Sequence, residues 1–136
     1  MKELFIEAKM ENAKAVMDFI DEQLKDCSPK IRNQIRIAVD EVFSNIVRYA
    51  YYPLTGNVVV RIAIDNNISI EFEDSGIAYD PLSKDTPDIS LPIDERKAGG
   101  LGIFMLRRLM DSVEYRREEN KNILLIKKRI KDNKLC

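Results

Sequence analysis

The spacing of apolar residues predicts three helices and five strands. Residues 4–10 alternate between apolar and polar side chains, which is the period of a half-buried strand. Apolar residues then recur at helical spacing over residues 12–24. A second, longer helix is predicted from Ser28-Pro29, a hydroxyl cap followed by a first-turn proline, to Pro53. The beginning of the chain is therefore predicted as strand, helix, helix.

The rest of the chain is predicted to hold four strands, one helix and a long irregular segment. Strands at 57–65 and 68–74 are joined by an Asn-Asn turn, which tolerates left-handed backbone. Residues 77–97 contain three prolines and no sustained periodicity, and the motifs on either side favour a functional lid here. A helix from about Gly102 to Asp111 and a hairpin over 113–130 complete the prediction.

This element order predicts one domain over residues 1–136 of the α+β class. Helices would cover one face of a mostly antiparallel sheet, which makes a two-layer sandwich. A chain of 136 residues is long enough to bury a sizeable core.

The composition excludes several kinds of site. The 22 basic and 23 acidic side chains nearly cancel, which argues against direct nucleic-acid binding. The chain has no histidine, which excludes imidazole zinc ligands and Ser-His or Cys-His nucleophile pairs. Its two cysteines are expected as reduced thiols. Because no apolar run approaches the roughly 20 residues of a membrane span and the start does not resemble a signal peptide, a cytoplasmic protein without membrane contacts is expected.

Glu41 and Asn45 lie four residues apart in the predicted second helix, so their side chains point to one face. Their neighbours are mostly apolar, so the pair either forms a solvated flank or lines a cavity, and both interpretations stay open. In a cavity, the asparagine carbonyl would suit a hard cation such as Mg²⁺. The glutamate would be able to take a proton from an attacking hydroxyl.

Asp74 ends a predicted strand, two residues before Gly76. Counting back in steps of two gives Phe72, Ile70 and Ile68, so Asp74 is predicted to face inwards, where an unpaired carboxylate is costly. A basic residue, a backbone donor or a ligand that donates a hydrogen bond would satisfy it. Ordinary turn chemistry also explains aspartate before glycine.

Three of the five glycines fall at Gly99, Gly100 and Gly102, just before the predicted third helix. Free N–H groups at a helix start make an anion site, and glycine lets a ligand approach the backbone closely. A flexible hinge or a tight turn is the alternative. The segment is neither a P-loop nor a dinucleotide fingerprint, because no Gly-Lys-Ser/Thr follows and no parallel β-α-β unit surrounds it.

Taken in order, these motifs resemble those of a known superfamily of ATP-binding proteins. DEVFSNIVRYAY resembles the N box, and EFEDSGIAYDP and GGLGIFMLRRLMD resemble the two glycine boxes, of the GHKL (Bergerat-fold) ATPases and kinases. The last segment in particular resembles bacterial anti-sigma factor serine/threonine kinases. The resemblance implies a Bergerat ATP-binding fold with an ATP lid at about residues 77–99.

The resemblance also implies a role for each motif. Asn45 would hold the Mg²⁺ that bridges the phosphates of ATP, and Glu41 would be the base that deprotonates an acceptor serine or threonine. Asp74 would accept a hydrogen bond from the adenine amino group, and Gly76 would leave room for the ring. The remaining nucleotide-binding residues would be Lys97, Gly99, Gly100, Leu101 and Gly102. Whether Arg96 or Lys97 would reach the terminal phosphate stays open.

The function implied by the resemblance is an ATP-dependent protein serine/threonine kinase that acts as an anti-sigma factor. It would phosphorylate an anti-anti-sigma antagonist of the STAS type, sequester a sigma factor, and form a homodimer. Two alternatives use the same nucleotide site. One is an ATP-binding regulatory module that holds a partner without kinase turnover, and the other is a weak ATP hydrolase.

Overall fold

Five strands and three helices make up the described part of the chain. The computed structural model describes residues 1–83 and 100–130. In chain order the elements are β1 (Lys2–Glu7), α1 (Ala13–Gln23), α2 (Pro29–Asn45), a π-helical continuation (Ile46–Ala50), β2 (Asn57–Ile64), β3 (Asn67–Asp74), α3 (Gly100–Leu109), β4 (Ser112–Glu118) and β5 (Lys121–Arg129).

The strands form one sheet in the order β1-β2-β3-β5-β4, and all four pairings are antiparallel. This confirms the predicted α+β architecture. Strand β3 lies at the centre of the sheet, and its last residue, Asp74, pairs with Val58 of β2 and Asn122 of β5. Strand β1 lies at one edge, as expected for the first strand.

The core lies between the three helices and one face of the sheet. Side chains of β3 alternate between buried and partly exposed along the whole strand. Phe72 of this strand packs in the same buried cluster as Ile20 of α1, Phe43 of α2 and Leu106 of α3. The alternation predicted for β3 is therefore the one observed, and the helices cover the face that carries its apolar residues.

Several element boundaries differ from the predicted ones. Strand β1 ends at Glu7, because the Asn12 side chain donates a hydrogen bond to its carbonyl at 2.8 Å and residues 10–12 form a 3-10 turn. The helix that starts at Pro29 is α-helical to Asn45 and π-helical to Ala50, so it ends before Pro53. Helix α3 begins at Gly100, two residues earlier than predicted. Glycine can adopt helical backbone angles, and the spacing of apolar residues does not mark the start of this helix.

The Ser28 hydroxyl accepts a hydrogen bond from the Ile31 N–H at 3.3 Å, so it caps α2 as predicted. Cys27 is buried in the core and disulfide-bonded, so the expectation of a reduced thiol there is wrong. Most of the predicted lid lies outside the described residues. Among the helices of residues 1–83 and 100–130, none is both long and apolar enough to span a membrane.

Candidate nucleotide-binding site

Glu41 and Asn45 stand one turn apart near the end of α2, and Arg48 contacts both. Asn45 is 4% exposed, and its Oδ1 accepts a hydrogen bond from Arg48 Nη2 at 2.9 Å. The same Nη2 lies 3.8 Å from Glu41 Oε1. Glu41 Oε1 and Asn45 Nδ2 are buried and have no hydrogen-bond partner among the described residues. The helix thus presents polar atoms whose hydrogen-bonding capacity is not filled.

The environment of Glu41 makes it a stronger proton acceptor than an ordinary glutamate. Burial raises the pKa of its carboxyl, and the nearby Arg48 guanidinium and Asn45 amide only partly oppose this rise. Because a base works best when its pKa approaches the working pH, this direction suits general-base chemistry.

Gly102 brings the first turn of α3 against Glu41. A Cβ atom at Gly102 would overlap the Glu41 carboxylate. Any other residue at this position would therefore displace the carboxylate or push α3 away from α2. The first N–H groups of a helix have no acceptor within the helix and carry the positive end of its dipole. The Glu41 carboxylate therefore lies beside the N-terminal end of α3.

Asp74 ends β3 with its side chain directed inwards, as the alternation predicts, and it is 5% exposed. Its Oδ1 accepts two hydrogen bonds at 2.9 Å, one from the Gly76 N–H and one from the Asn122 side-chain amide. A Cβ at Gly76 would overlap the backbone carbonyl of Ala50, so this turn needs glycine for its close approach to the end of the helix.

Burial raises the pKa of Asp74, and the hydrogen bonds from Asn122 and Gly76 and the charge of Arg117 oppose this rise. The neighbouring Glu73 adds to the rise. The carboxylate is thus held at a buried position by donors on one oxygen. A ligand in the adjoining cavity can approach the other oxygen, Oδ2.

Sequence reasoning missed Asn122, which connects most of this site. It is 5% exposed and lies on β5 beside Asp74. Its position is the inward one shared with Leu124 and Ile126. The parity argument that singled out Asp74 would also have found Asn122, because an amide among inward apolar residues needs partners.

A cavity between α2 and the sheet gathers three of these polar residues. Asn45, Asp74 and Asn122 line it together with apolar side chains. Tyr79 also lines it and stacks on Tyr49 with ring centroids 5.0 Å apart. An apolar cavity with a few convergent polar groups is the usual form of a small-molecule site.

Glu41 and Gly102 line a separate groove between α2 and α3. The structure thus places the predicted site residues in two spaces, with Asn45 and Asp74 in the cavity and Glu41 and Gly102 in the groove. Gly100 and Leu101 lie in the first turn of α3. Arg96, Lys97 and Gly99 lie outside the described residues.

The family described as the histidine kinase-like ATPase domain matches residues 6–128, and the chain belongs to this family. Among solved structures, the RsbU and RsbW domains of Rv1364c from Mycobacterium tuberculosis match with a TM-score of 0.63 and 17% identity, over 95% of this chain and 32% of that one. The histidine kinase domain of the Erythrobacter litoralis EL346 blue-light activated kinase matches with a TM-score of 0.54 and 15% identity, over 91% and 62%.

Relatives by sequence are protein kinases. The serine-protein kinase RsbW of Bacillus cereus (strain AH820) is 31% identical over 98 residues, which is 68% of this chain and 61% of the relative. The serine/threonine-protein kinase BtrW of Bordetella bronchiseptica is 28% identical over 102 residues, which is 73% and 71%. The matched region thus spans about three-fifths of the RsbW relative's length.

Proposed function

We propose that this chain is an ATP-dependent protein serine/threonine kinase that acts as an anti-sigma factor. It would phosphorylate an anti-anti-sigma antagonist of the STAS type and, in a separate complex, sequester a sigma factor. The observation that carries the proposal is the packing of the Glu41 carboxylate against the first turn of α3 at Gly102. A proton acceptor there stands beside the helix end that suits phosphates. The names of the RsbW and BtrW relatives support serine or threonine as the acceptor.

The residues present fit ATP with Mg²⁺. The carbonyl oxygen of the buried Asn45 is a ligand type that suits Mg²⁺, and Asn45 and Asp74 line the same cavity. Protein-bound Mg²⁺ commonly uses one or two side chains and the substrate's phosphates. When bound, ATP supplies the phosphoryl group and Mg²⁺ neutralises its charge.

Each site residue then has a task that its surroundings support. Asp74 would accept a hydrogen bond from the adenine amino group, and Gly76 would leave room for the adenine ring. Asn45 would hold the metal through Oδ1, which requires Arg48 to release that oxygen. Glu41 would take the proton of the acceptor hydroxyl at its carboxylate.

The glycine segment would bind the phosphates. Gly100, Leu101 and Gly102 would offer their N–H groups from the first turn of α3. Lys97 and Gly99 would complete this site, and their assignment rests on the sequence alone. Arg96 or Lys97 would add a positive charge near the terminal phosphate.

A homodimer is part of the proposal. Strand β1 is an edge strand, so one side of its backbone is open to pairing with a second copy. Phe5 of this strand is 70% exposed. Because both proposed partners act on transcription, the complexes are expected in the cytoplasm. Light scattering at micromolar concentration should give the mass of two chains, and the mass of one chain would contradict the dimer.

The kinase proposal is tested by incubating the purified protein with labelled ATP, Mg²⁺ and the candidate antagonist encoded beside it. We expect Glu41→Gln to lower labelling of the antagonist by about 10²- to 10⁴-fold, the usual contribution of a general base. Glu22→Gln, an exposed change of the same kind on α1, serves as the matched control and should label normally.

Equal labelling by wild type and Glu41→Gln would refute the assigned base. If the protein binds ATP and retains its partner but transfers no label to it, the result would instead indicate the nucleotide-loaded binding module. Steady release of phosphate without a protein acceptor would indicate the ATP hydrolase.

A further inference from the structure

Asn122 is the most heavily hydrogen-bonded side chain of the candidate site. Its Nδ2 donates to Asp74 Oδ1 at 2.9 Å and to the Ile77 carbonyl at 2.7 Å. Its Oδ1 accepts from the Tyr115 hydroxyl at 2.6 Å, from Arg117 Nη1 at 3.1 Å and from the Tyr79 N–H at 3.3 Å. One amide therefore ties the end of β3 to β4 and to the segment that follows Gly76.

The partners leave only one orientation for this amide. A guanidinium and a backbone N–H can only donate, so the atom that faces Arg117 and Tyr79 must be the carbonyl oxygen. A backbone carbonyl can only accept, so the atom that faces Ile77 must be the NH₂ group. Asn122 thus presents a donor to Asp74 and cannot present an acceptor without breaking at least three hydrogen bonds.

As a result, the two carboxylate oxygens of Asp74 have different roles. Oδ1 receives the hydrogen bonds of Asn122 and of the Gly76 N–H. Oδ2 remains as the acceptor for a ligand in the cavity that Asp74 and Asn122 both line. Donors to the charged form also favour ionisation, which counters the effect of burial.

We propose that Asn122 is a positioning residue that makes Asp74 selective for a nucleobase carrying an exocyclic amino group. This inference rests on the proposed function, because it assumes that the base of ATP meets Asp74. Asn122 acts through Asp74: it fixes the carboxylate's rotation and keeps Oδ2 an acceptor. The arrangement favours a donor on the base and gives no advantage to a base that lacks one.

Other ionisable groups also act on Asp74 and must stay constant in any test. Glu73 adjoins it on β3, and the Tyr51 hydroxyl donates to the Asn57 carbonyl and accepts from the Ser75 N–H close by. The charged and titratable side chains around Asp74 or its cavity are Glu73, Arg117, Tyr51, Tyr79 and Tyr115. Glu73 points to the opposite face of the sheet, where it pairs with Arg61 at 3.4 Å.

The test compares ATP with purine riboside triphosphate, which lacks the exocyclic amino group and carries the same triphosphate. The ratio of the two dissociation constants is measured by calorimetry with Mg²⁺ between about pH 5 and pH 8.5. Phosphate titration cancels in this ratio, so its pH profile follows the group that meets the amino group. Nearly isosteric Asn122→Asp replaces the donor to Asp74 by a second carboxylate, and Asn122→Ala removes it.

In wild type we expect ATP to bind at least about tenfold more tightly than the analogue at neutral pH, as for a hydrogen bond to a charged group. Asn122→Ala should reduce this preference about three- to tenfold and move its acid midpoint up by about one pH unit. Asn122→Asp should move the midpoint further, because two adjacent carboxylates share one proton. Glu118→Gln, an exposed change near the same hairpin, should leave both quantities as in wild type.

The outcomes separate this inference from the proposed function. A wild type that binds ATP with the expected preference, together with Asn122 variants that keep both the ratio and its midpoint, would overturn the positioning role alone. A wild type that does not bind ATP, or does not prefer it to the analogue, would overturn both. Thermal unfolding without nucleotide confirms that each variant is folded. If one Asn122 variant is unfolded, the ratio of dissociation constants and its acid midpoint are measured on the other variant.

Discussion

Asp74→Asn offers the sharpest test of the nucleotide site, because it should separate binding from stability. Asparagine keeps an oxygen that can accept the hydrogen bonds now made by Gly76 and Asn122 to Asp74 Oδ1. Its amide then takes the place of Oδ2 and presents a donor where adenine also presents one. The substitution changes one acceptor into a donor and leaves the local fold in place.

The magnitude follows from the bond that is lost. A hydrogen bond to a charged group contributes about 1.5–3 kcal/mol, and about 1.4 kcal/mol corresponds to a tenfold change in affinity. ATP should therefore bind about 10- to 150-fold more weakly to Asp74→Asn. Glu71→Gln is the matched control, because Glu71 lies on β3 but points to the opposite face from Asp74 and pairs with Arg61.

The same substitution should not weaken the unliganded fold. Burial raises the pKa of Asp74 above its ordinary value, so ionisation of Asp74 costs more in the folded chain than in the unfolded chain. Removing the charge should raise the free energy of unfolding at neutral pH. This gain should shrink as the pH falls through the raised pKa, and it should vanish once the carboxyl is protonated in both states.

Calorimetry with a non-hydrolysable ATP analogue and thermal unfolding over a pH series measure the two quantities. Unchanged affinity in Asp74→Asn would place the base elsewhere. A large loss of stability at neutral pH would show that the ionised carboxylate supports the fold, contrary to the reasoning from its burial.

Three further substitutions address other contacts. Gly76→Ala should weaken ATP binding and lower the melting temperature, because its Cβ would overlap the Ala50 carbonyl; calorimetry and thermal unfolding check both. Gly102→Ala should lower antagonist labelling at least about tenfold by displacing the Glu41 carboxylate, since small misplacements of reacting groups are costly; labelling at wild-type rate would contradict the assigned contact. Arg48→Met should lower the Mg²⁺ concentration needed for half-maximal ATP binding, because it frees the buried amide oxygen assigned to the metal. It should also move the acid limb of the labelling profile to higher pH, because the arginine lowers the pKa of Glu41.

The sequence was sufficient for much of the fold and for one side of the site. Strict alternation along β3 predicts both its buried face and the inward direction of Asp74, because strand period depends only on local residues. The Ser28 cap and the helical spacing of Glu41 and Asn45 are local in the same way. Arg48 lies one turn beyond Asn45, so helical spacing would also have predicted a contact between these two side chains.

The contacts that complete the site depend on packing between distant segments. The hydrogen bond between Asn122 and Asp74 joins residues 48 positions apart and depends on the register between β5 and β3. The contact of Gly102 with Glu41 depends on how α3 packs on α2. The glycine cluster predicted that a ligand could approach the backbone there, but it did not predict the Glu41 side chain beside Gly102.

A crystal structure with a non-hydrolysable ATP analogue and Mg²⁺ would show whether ATP occupies this site. We expect the exocyclic nitrogen of adenine at about 2.7–3.2 Å from Asp74 Oδ2. We also expect Mg²⁺ on Asn45 Oδ1 with Arg48 displaced from it, and the phosphates at the start of α3. A nucleotide bound elsewhere, or an Arg48 side chain still hydrogen-bonded to Asn45 beside a bound nucleotide without metal contact, would contradict the proposed nucleotide site.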